Sequence, residues 1–232
     1  MKTFKILLTG AVALSLLASS SCNTMTNTGK GALIGGGGGT ALGAGIGALI
    51  GGGKGAGIGA AIGAAVGAGA GTLIGNKMDK QKKELEAQLA EKAEVESVKD
   101  QNGLQAIKVT FNSGILFPFN GTSLDNSAKQ DLTTFASSLI NNPQTNVQIF
   151  GYTDNVGSYA ANEKVANGRA DAVRTYLIHS GVAASRITAQ GVPMADYVAS
   201  NDTPEGRAQN RRVEIYITAS PQMIQAAENG TL

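Results

Sequence analysis

The chain has no tryptophan, one histidine and one cysteine among its 232 residues. A lone cysteine cannot form an internal disulfide, which excludes a disulfide-stapled scaffold. The lone histidine, His179, is predicted near a helix end, where a cation is favoured, so neither a catalytic nor a zinc-binding role is expected for it. Basic residues exceed acidic ones by only two, so no nucleic-acid partner is implied. No metal site and no cofactor are predicted.

The first 21 residues have the pattern of an export signal. Lys2 and Lys5 give a positively charged start, an apolar core follows over residues 6–17, and small residues precede Cys22. Without this segment the formal net charge falls from +2 to about zero.

A cysteine directly after such a core is similar to the first residue of mature bacterial lipoproteins. This resemblance implies that Cys22 carries the lipid and that residues 22–30 form a lipidated N-terminal linker. The alternative is plain secretion, which would leave a free thiol in an oxidising compartment. Asn23 stands where Asp retains such lipoproteins in the inner membrane. The expected location is therefore the outer membrane, with the C-terminal domain in the periplasm.

A glycine ladder occupies residues 31–75. Every fourth residue is glycine, the other positions are mostly aliphatic, and Lys54 is the only charge between Lys30 and Lys77. A flexible linker would contain polar residues and would not keep this spacing. Glycines four residues apart form a groove that lets a second helix approach closely in lipid. We predict a glycine-zipper helical hairpin in the membrane, with arms at 31–53 and 55–75. A membrane-surface segment, a homo-oligomer and a pore remain alternatives.

Residues 76–103 shift to charged composition. Met78, Leu85, Leu89 and Ala93 recur at helical spacing, which predicts a helix from about residue 76 to residue 97. This helix is interpreted either as a solvated spacer that leaves the membrane or as a first helix that packs on the domain.

Residues 104–220 read as one α+β domain, followed by a tail at 221–232. Predicted strands and helices alternate, which favours a βαβ-containing sheet with helices on one face. The predicted strands are 106–111, 147–152, 187–191 and 213–218, with an extended piece at 115–117. The predicted helices are 126–140, capped by Asp125, then 159–180, ended by Gly181, and one that starts at Thr203-Pro204.

Polar and charged residues gather within one predicted strand–loop–helix unit. Asp154 follows a strand in the run Gly151-Tyr-Thr-Asp-Asn-Val-Gly157, and Asn162 and Arg169 lie seven residues apart on the next helix. Arg211 and Arg212 come at a later strand start, where adjacent side chains point opposite ways and only one can reach the site. A fixed carboxylate and guanidinium suit a ligand with both an ammonium and a carboxylate.

This run resembles the OmpA-like C-terminal domain, a family that binds peptidoglycan, over roughly residues 109–217. The resemblance implies that Asp154 and Arg169 hold the ammonium and carboxylate of diaminopimelate in the wall peptide, while Asn162 and Arg211 contribute to the same pocket. The implied function is non-covalent tethering of the outer membrane to the wall. A simpler interpretation is that Asp154 and Arg169 pair with each other and fix the loop.

The sequence departs from the family pattern at three places. Val165-Ala166 replaces the usual Leu-Ser, which suggests the loss of a hydroxyl beside the pocket. Gly168 lies within a helix, and the loop at 191–198 lacks the usual glycines.

Other functional classes fit less well. A hydrolase needs two carboxylates flanking a bond or a metal site, and Glu163, the acid nearest to Asp154, is expected to face solvent. A motor stator shares the wall-binding domain but carries an acid in its membrane segment, whereas no acidic residue lies between Lys30 and Lys77. We therefore expect a binding protein that is not an enzyme.

Overall fold

The computed structural model of the protein describes residues 68–100, 102–118 and 121–232. The predicted signal, Cys22 and the glycine ladder up to residue 67 lie outside the described residues. In chain order the elements are α1 (Ala68–Gln88), β1 (Glu94–Lys99), β2 (Gln105–Asn112), α2 (Ser113–Leu116), α3 (Asn126–Asn141), β3 (Thr145–Tyr152), α4 (Tyr159–His179), a 3-10 turn (Ala184–Arg186), β4 (Ile187–Val192), α5 (Pro204–Asn210), β5 (Arg212–Ala219) and α6 (Pro221–Glu228).

The five strands form one mixed sheet in the order β1-β2-β5-β3-β4. β1 pairs antiparallel with β2, and β5 pairs antiparallel with both β2 and β3. β3 and β4 are parallel, because α4 returns the chain between them as a βαβ unit. The main strands and helices predicted after residue 104 are present, and the predicted α+β fold is confirmed.

The core lies between the sheet and the helices. Alternate residues of β5 show the two faces: Val213, Ile215 and Ile217 are fully buried in the main core, whereas Glu214 and Tyr216 point to the opposite face. The helices bring aliphatic and aromatic side chains to the same core, among them Met78, Leu85, Leu132, Phe135, Leu139, Val173, Leu177 and Ile224. The predicted placement of the helices on one face is confirmed.

Helix α1 belongs to this domain. Its buried stripe contains Ala70, Ile74, Met78 and Leu85, spaced for one helical face. This result favours a helix that packs on the domain over a solvated spacer. It also conflicts with a membrane segment that ends at residue 75, because Ala70 and Ile74 are buried in the protein core. Within the described ranges, no helix is long and apolar enough to cross a bilayer.

The predicted continuation of this helix to residue 97 is wrong. After Gln88 the chain reverses at Glu91, which adopts a left-handed φ of 66°, and β1 then pairs with β2. Val95 lies opposite Val109 on the core face of this hairpin. The turn between β1 and β2 is closed by Asp100, whose Oδ1 accepts hydrogen bonds from the backbone N–H groups of residues 102 and 104, at 2.8 and 2.9 Å.

Two other short segments differ from prediction. The expected extended piece at 115–117 falls largely in α2, whose first turn is closed by a hydrogen bond from Gly114 N to Asn112 Oδ1 at 2.9 Å. The predicted tail contains α6, which Ser220 caps by accepting a hydrogen bond from Met223 N. Met223 and Ile224 are buried against the core, so α6 is part of the domain.

Candidate functional site

A tight turn fixes Asp154 just beyond the end of β3. Asp154 Oδ1 accepts a hydrogen bond from Val156 N at 3.0 Å, and Gly157 completes the turn with a φ of 95°. Glycine suits this position because L side chains rarely adopt that φ. Thr153 Oγ1 accepts a hydrogen bond from Met194 N at 3.0 Å, which ties the start of the loop to the segment after β4. The carboxylate is therefore held in place before any ligand arrives.

Helix α4 begins directly after this loop. Ser158 caps it by accepting a hydrogen bond from Ala161 N at 3.3 Å. Asn162 Nδ2 donates to Val156 O at 2.8 Å and to Ser158 O at 3.1 Å. Asn162 therefore fastens the Asp154 loop to the helix, and its amide nitrogen is used within the protein.

Close packing explains the departures from the family pattern on α4. Ala166 is fully buried, and a Cβ at Gly151 or at Gly191 would collide with it. The predicted loss of a pocket hydroxyl at Ala166 is wrong, because this position faces the sheet. A Cβ at Gly168 would lie 2.9 Å from Thr122 Cγ2, so the Thr122 side chain would have to shift to admit a larger residue at this position of the helix.

The loop after β4 reaches its shape without the family's glycines. Met194 and Asp196 both adopt a φ of 51°, in the left-handed region where glycine is favoured. Hydrogen bonds hold this segment from both ends: Met194 N donates to Thr153, and Asp196 O accepts from Arg212 Nη2 at 3.0 Å.

Arg211 reaches the site from the end of α5. Thr203 caps this short helix by accepting a hydrogen bond from Gly206 N at 3.1 Å, and Pro204 occupies its first turn, as predicted. Arg211 Nη1 forms an ion pair with Asp154 Oδ2 at 2.7 Å. The Asp154 side chain is 10% exposed and that of Arg211 30% exposed, so the pair lies at the pocket wall and is partly open to solvent.

Arg169 is buried beside this pair, with 4% exposure. Its Nε donates to Gly121 O at 3.1 Å, and its guanidinium lies 5.4 Å from the centroid of the Phe117 ring. Burial lowers the pKa of Arg169 below its usual value; the charge of Arg211 lowers it further, and Asp154 partly opposes both effects. The simple Asp154–Arg169 pair is not formed: no ion pair links Arg169 to a residue in the described ranges.

The four predicted site residues meet at one pocket of about 710 Å³. The pocket lies between the loop after β3, the first half of α4 and α5. Its lining residues are Thr153, Asp154, Val156, Gly157, Ala161, Asn162, Val165, Arg169, Pro204, Arg207 and Arg211. Sequence reasoning missed Arg207 as a lining residue, although it lies four residues before Arg211 and hence on the same face of a helix.

Arg212 points to the opposite face of the sheet. It forms a buried ion pair with Glu214 at 2.7 Å and lies 3.8 Å from the centroid of the Tyr152 ring. Tyr216 OH donates to Glu214 Oε2 at 2.8 Å. Burial raises the pKa of Tyr216, and the charge of Glu214 raises it further. This network fixes the strand start, so that Arg211 alone of the two adjacent arginines lines the pocket.

The pocket is lined by one carboxylate and three guanidinium groups. Among its described lining residues, Asp154 is the sole carboxylate and there is neither histidine nor cysteine. No cluster of three or more His, Cys, Asp or Glu residues lies in the described part of the chain. A fixed carboxylate beside several guanidinium groups suits a ligand that carries both signs of charge, with the negative sign in excess.

Comparison with known proteins agrees with this architecture. The model of the OmpA family matches residues 116–211, and that of the YMGG-like Gly-zipper matches residues 1–79. The cell wall anchor of the type VI secretion system (T6SS) from Pseudomonas aeruginosa has a similar fold, with a TM-score of 0.52 and 28% identity over 60% of this chain and 99% of that one.

Two curated relatives differ in how much of their length is matched. The peptidoglycan-binding protein ArfA of Mycobacterium tuberculosis H37Rv is 41% identical over 48% of this chain, which spans only 34% of ArfA. The protein named probable lipoprotein YiaD of Escherichia coli K12 is 40% identical over 94% of this chain and 98% of its own length. This chain combines a glycine-zipper N-terminus and an OmpA fold with a match to YiaD along nearly its whole length. The protein therefore belongs to the YiaD-type family of OmpA-domain lipoproteins.

Proposed function

We propose that this protein is an outer-membrane lipoprotein whose C-terminal domain binds peptidoglycan non-covalently and tethers the membrane to the cell wall. The observation that carries the proposal is the pocket where Asp154, Arg169 and Arg211 converge. The name of ArfA, which matches this domain, includes peptidoglycan binding. Lipid attachment at Cys22 and placement in the outer membrane are part of the proposal.

The ligand group that best fits this pocket is the free amino-acid end of diaminopimelate. Its ammonium would approach Asp154, whose two carboxylate oxygens each accept one hydrogen bond in the structure and can accept more. Its carboxylate would approach Arg169, whose Nε is held by Gly121 O. Burial, and then the charge of Arg211, lower the pKa of Arg169, and a carboxylate bound there would oppose both effects.

Energetics favour a ligand that makes both contacts. Hydrogen bonds to charged groups contribute about 1.5–3 kcal/mol each, so two of them supply about 3–6 kcal/mol. This corresponds to a Kd in the millimolar range or, at best, tens of micromolar before the ligand's ordering cost is subtracted. Such modest affinity suits a protein that contacts a polymeric wall at many copies, because the effective local concentration is high.

Cosedimentation with insoluble peptidoglycan tests this function. We expect the domain of residues 68–232 to sediment with diaminopimelate-type wall and to be released by soluble diaminopimelate. Lysine-type wall, which lacks the carboxylate at that position, should retain it weakly. Sedimentation no better than that of an unrelated soluble protein of similar charge would contradict the proposal.

A further inference from the structure

The pocket contains more positive charge than one carboxylate of a ligand requires. Three arginines line it, Arg169, Arg207 and Arg211, against the single carboxylate of Asp154. Asp154 is already paired with Arg211. Within the described ranges, neither Arg169 nor Arg207 forms an ion pair. A diaminopimelate end brings only one carboxylate, which accounts for one of these two guanidinium groups.

Arg207 is held toward the pocket by its surroundings. Its Nη1 donates to Asn201 O at 2.7 Å, and its main-chain oxygen accepts from Arg211 N at 3.1 Å, which puts the two arginines one helical turn apart. Asn201 is fixed in turn, because its Oδ1 accepts a hydrogen bond from Asn210 Nδ2 at 3.0 Å.

The support beneath Arg207 is rigid. Asn210 is fully buried and its Oδ1 accepts hydrogen bonds from Val198 N at 2.8 Å and Ala199 N at 3.0 Å. A Cβ at Gly206 would collide with Ser200 O, so α5 lies directly against this loop. A charged group held in a fixed position loses less side-chain entropy when it binds a ligand than a free surface arginine does.

We propose that Arg207 is a further ligand-binding residue, which binds a second carboxylate of the wall peptide while Arg169 binds the first. This inference rests on the proposed function. The stem peptide of peptidoglycan carries carboxylates on its glutamate and at its C-terminus, in addition to the one on diaminopimelate. The pocket volume of about 710 Å³ leaves room for more than one amino-acid end. The ligand class is therefore a peptide with an ammonium and at least two free carboxylates.

Titration calorimetry with soluble stem peptides tests this role. The full-length protein in detergent, its Arg207→Gln variant and an Arg174→Gln variant are titrated with a tetrapeptide whose carboxylates are all free. Three further tetrapeptides each carry one amide, at diaminopimelate, at glutamate or at the C-terminus. Arg174 lies on α4 but lines a different surface cavity, so its loss removes the same charge outside this pocket.

We expect Arg207→Gln to weaken binding of the all-free peptide about tenfold, equivalent to roughly 1.4 kcal/mol. One of two peptides, the glutamate-amide or the C-terminal-amide peptide, lacks the carboxylate that Arg207 binds. For that peptide, the wild-type protein and Arg207→Gln should bind with equal affinity. Arg174→Gln should match the wild type throughout. The inference is overturned if Arg207→Gln binds the all-free peptide within twofold of the wild type, weakens all four peptides alike, or loses no more than Arg174→Gln. Failure of the wild-type protein to bind any of the peptides would instead contradict the proposed function.

Discussion

Adjacent arginines at the start of β5 serve different parts of the molecule. Arg211 is 30% exposed in its side chain and pairs with Asp154 at the pocket wall, whereas Arg212 pairs with Glu214 at 5% and 7% side-chain exposure. An ion pair open to solvent contributes up to about 1 kcal/mol to the free energy of unfolding. Removing one partner of a buried pair costs about 3–5 kcal/mol, because the other charge stays buried without compensation.

This contrast predicts that Arg212→Gln lowers stability far more than Arg211→Gln. Arg212→Gln should cost about 3 kcal/mol or more in the free energy of unfolding. Arg211→Gln should cost about 1 kcal/mol or less while it weakens ligand binding. Urea titrations of both variants measure this difference. Equal losses of stability would show that the two arginines do not divide their roles in this way.

A second prediction concerns the glycines under α4. Gly151→Ala would drive a Cβ into the backbone oxygen of Ala166, and the helix would have to shift away from the sheet. Gly168→Ala meets only the Thr122 side chain, and alanine is favoured over glycine in a helix by about 1 kcal/mol. We expect Gly151→Ala to lose about 2 kcal/mol or more and Gly168→Ala to change stability little. A Gly151→Ala protein with wild-type Tm would contradict the close approach.

At the scale of elements, the domain extends beyond residues 116–211, which the OmpA family model matches, to include α1, β1, β2, β5 and α6. α1 buries Ile74, Met78 and Leu85 against the core, and β1 supplies the edge strand next to β2. Full burial of one such side chain contributes about 1.5–3 kcal/mol. The sum is comparable with the net stability of a whole domain, about 5–15 kcal/mol.

The integral role of α1 is tested by one buried and one exposed substitution. Leu85→Ala should destabilise the domain by about 2–5 kcal/mol, because it removes a fully buried side chain and leaves a cavity. Lys83→Ala, on the exposed side of the same helix, should be nearly neutral. Chemical unfolding of both variants measures the difference. If Leu85→Ala proved as neutral as Lys83→Ala, α1 would be a detached spacer.

The elements differ in how far the sequence reveals them. The strands and helices from Thr145 onward follow clear hydrophobic periodicity with caps such as Thr203, and their pattern sufficed to predict the sheet. The four site residues were predicted with the help of the resemblance to the OmpA-like family. The hairpin of β1 and β2 was missed because charged residues at 94–99 alternate with valines on a half-exposed edge strand. The partner of Asp154 was also missed, because the choice between Arg169 and Arg211 depends on how α5 sits against the loop after β3.

On the scale of the whole molecule, the binding domain begins by residue 68. The predicted spacer at 76–103 is folded into the domain as α1 and the β1–β2 hairpin. The separation between a lipid on Cys22 and the pocket would then depend on residues 22–67, which contain most of the glycine ladder. Self-association through the ladder remains a prediction, and so does a pore.

Lipid attachment predicts a clear result for Cys22→Ala. This change removes the only thiol, so no thioether-linked lipid can form. Metabolic labelling with a fatty acid should mark the wild-type protein and leave the variant unlabelled, and several acyl chains should anchor the wild type stably to membrane. Persistent label on Cys22→Ala would show that the lipid is attached elsewhere.

The most direct test of the account is a joint measurement of affinity and Tm for Asp154→Ala, Arg169→Ala and, as a control, Arg174→Ala. The probe is a soluble diaminopimelate-containing stem peptide. Asp154→Ala and Arg169→Ala should each lose about tenfold or more in affinity, since each removes one charged contact. The Tm of Arg169→Ala should fall, because the change removes the hydrogen bond to Gly121 O and the contact with the Phe117 ring, but the domain should stay folded at the temperature of the binding measurement. Arg174→Ala should match the wild type in both quantities. A folded Arg169→Ala protein with undiminished affinity would contradict the account.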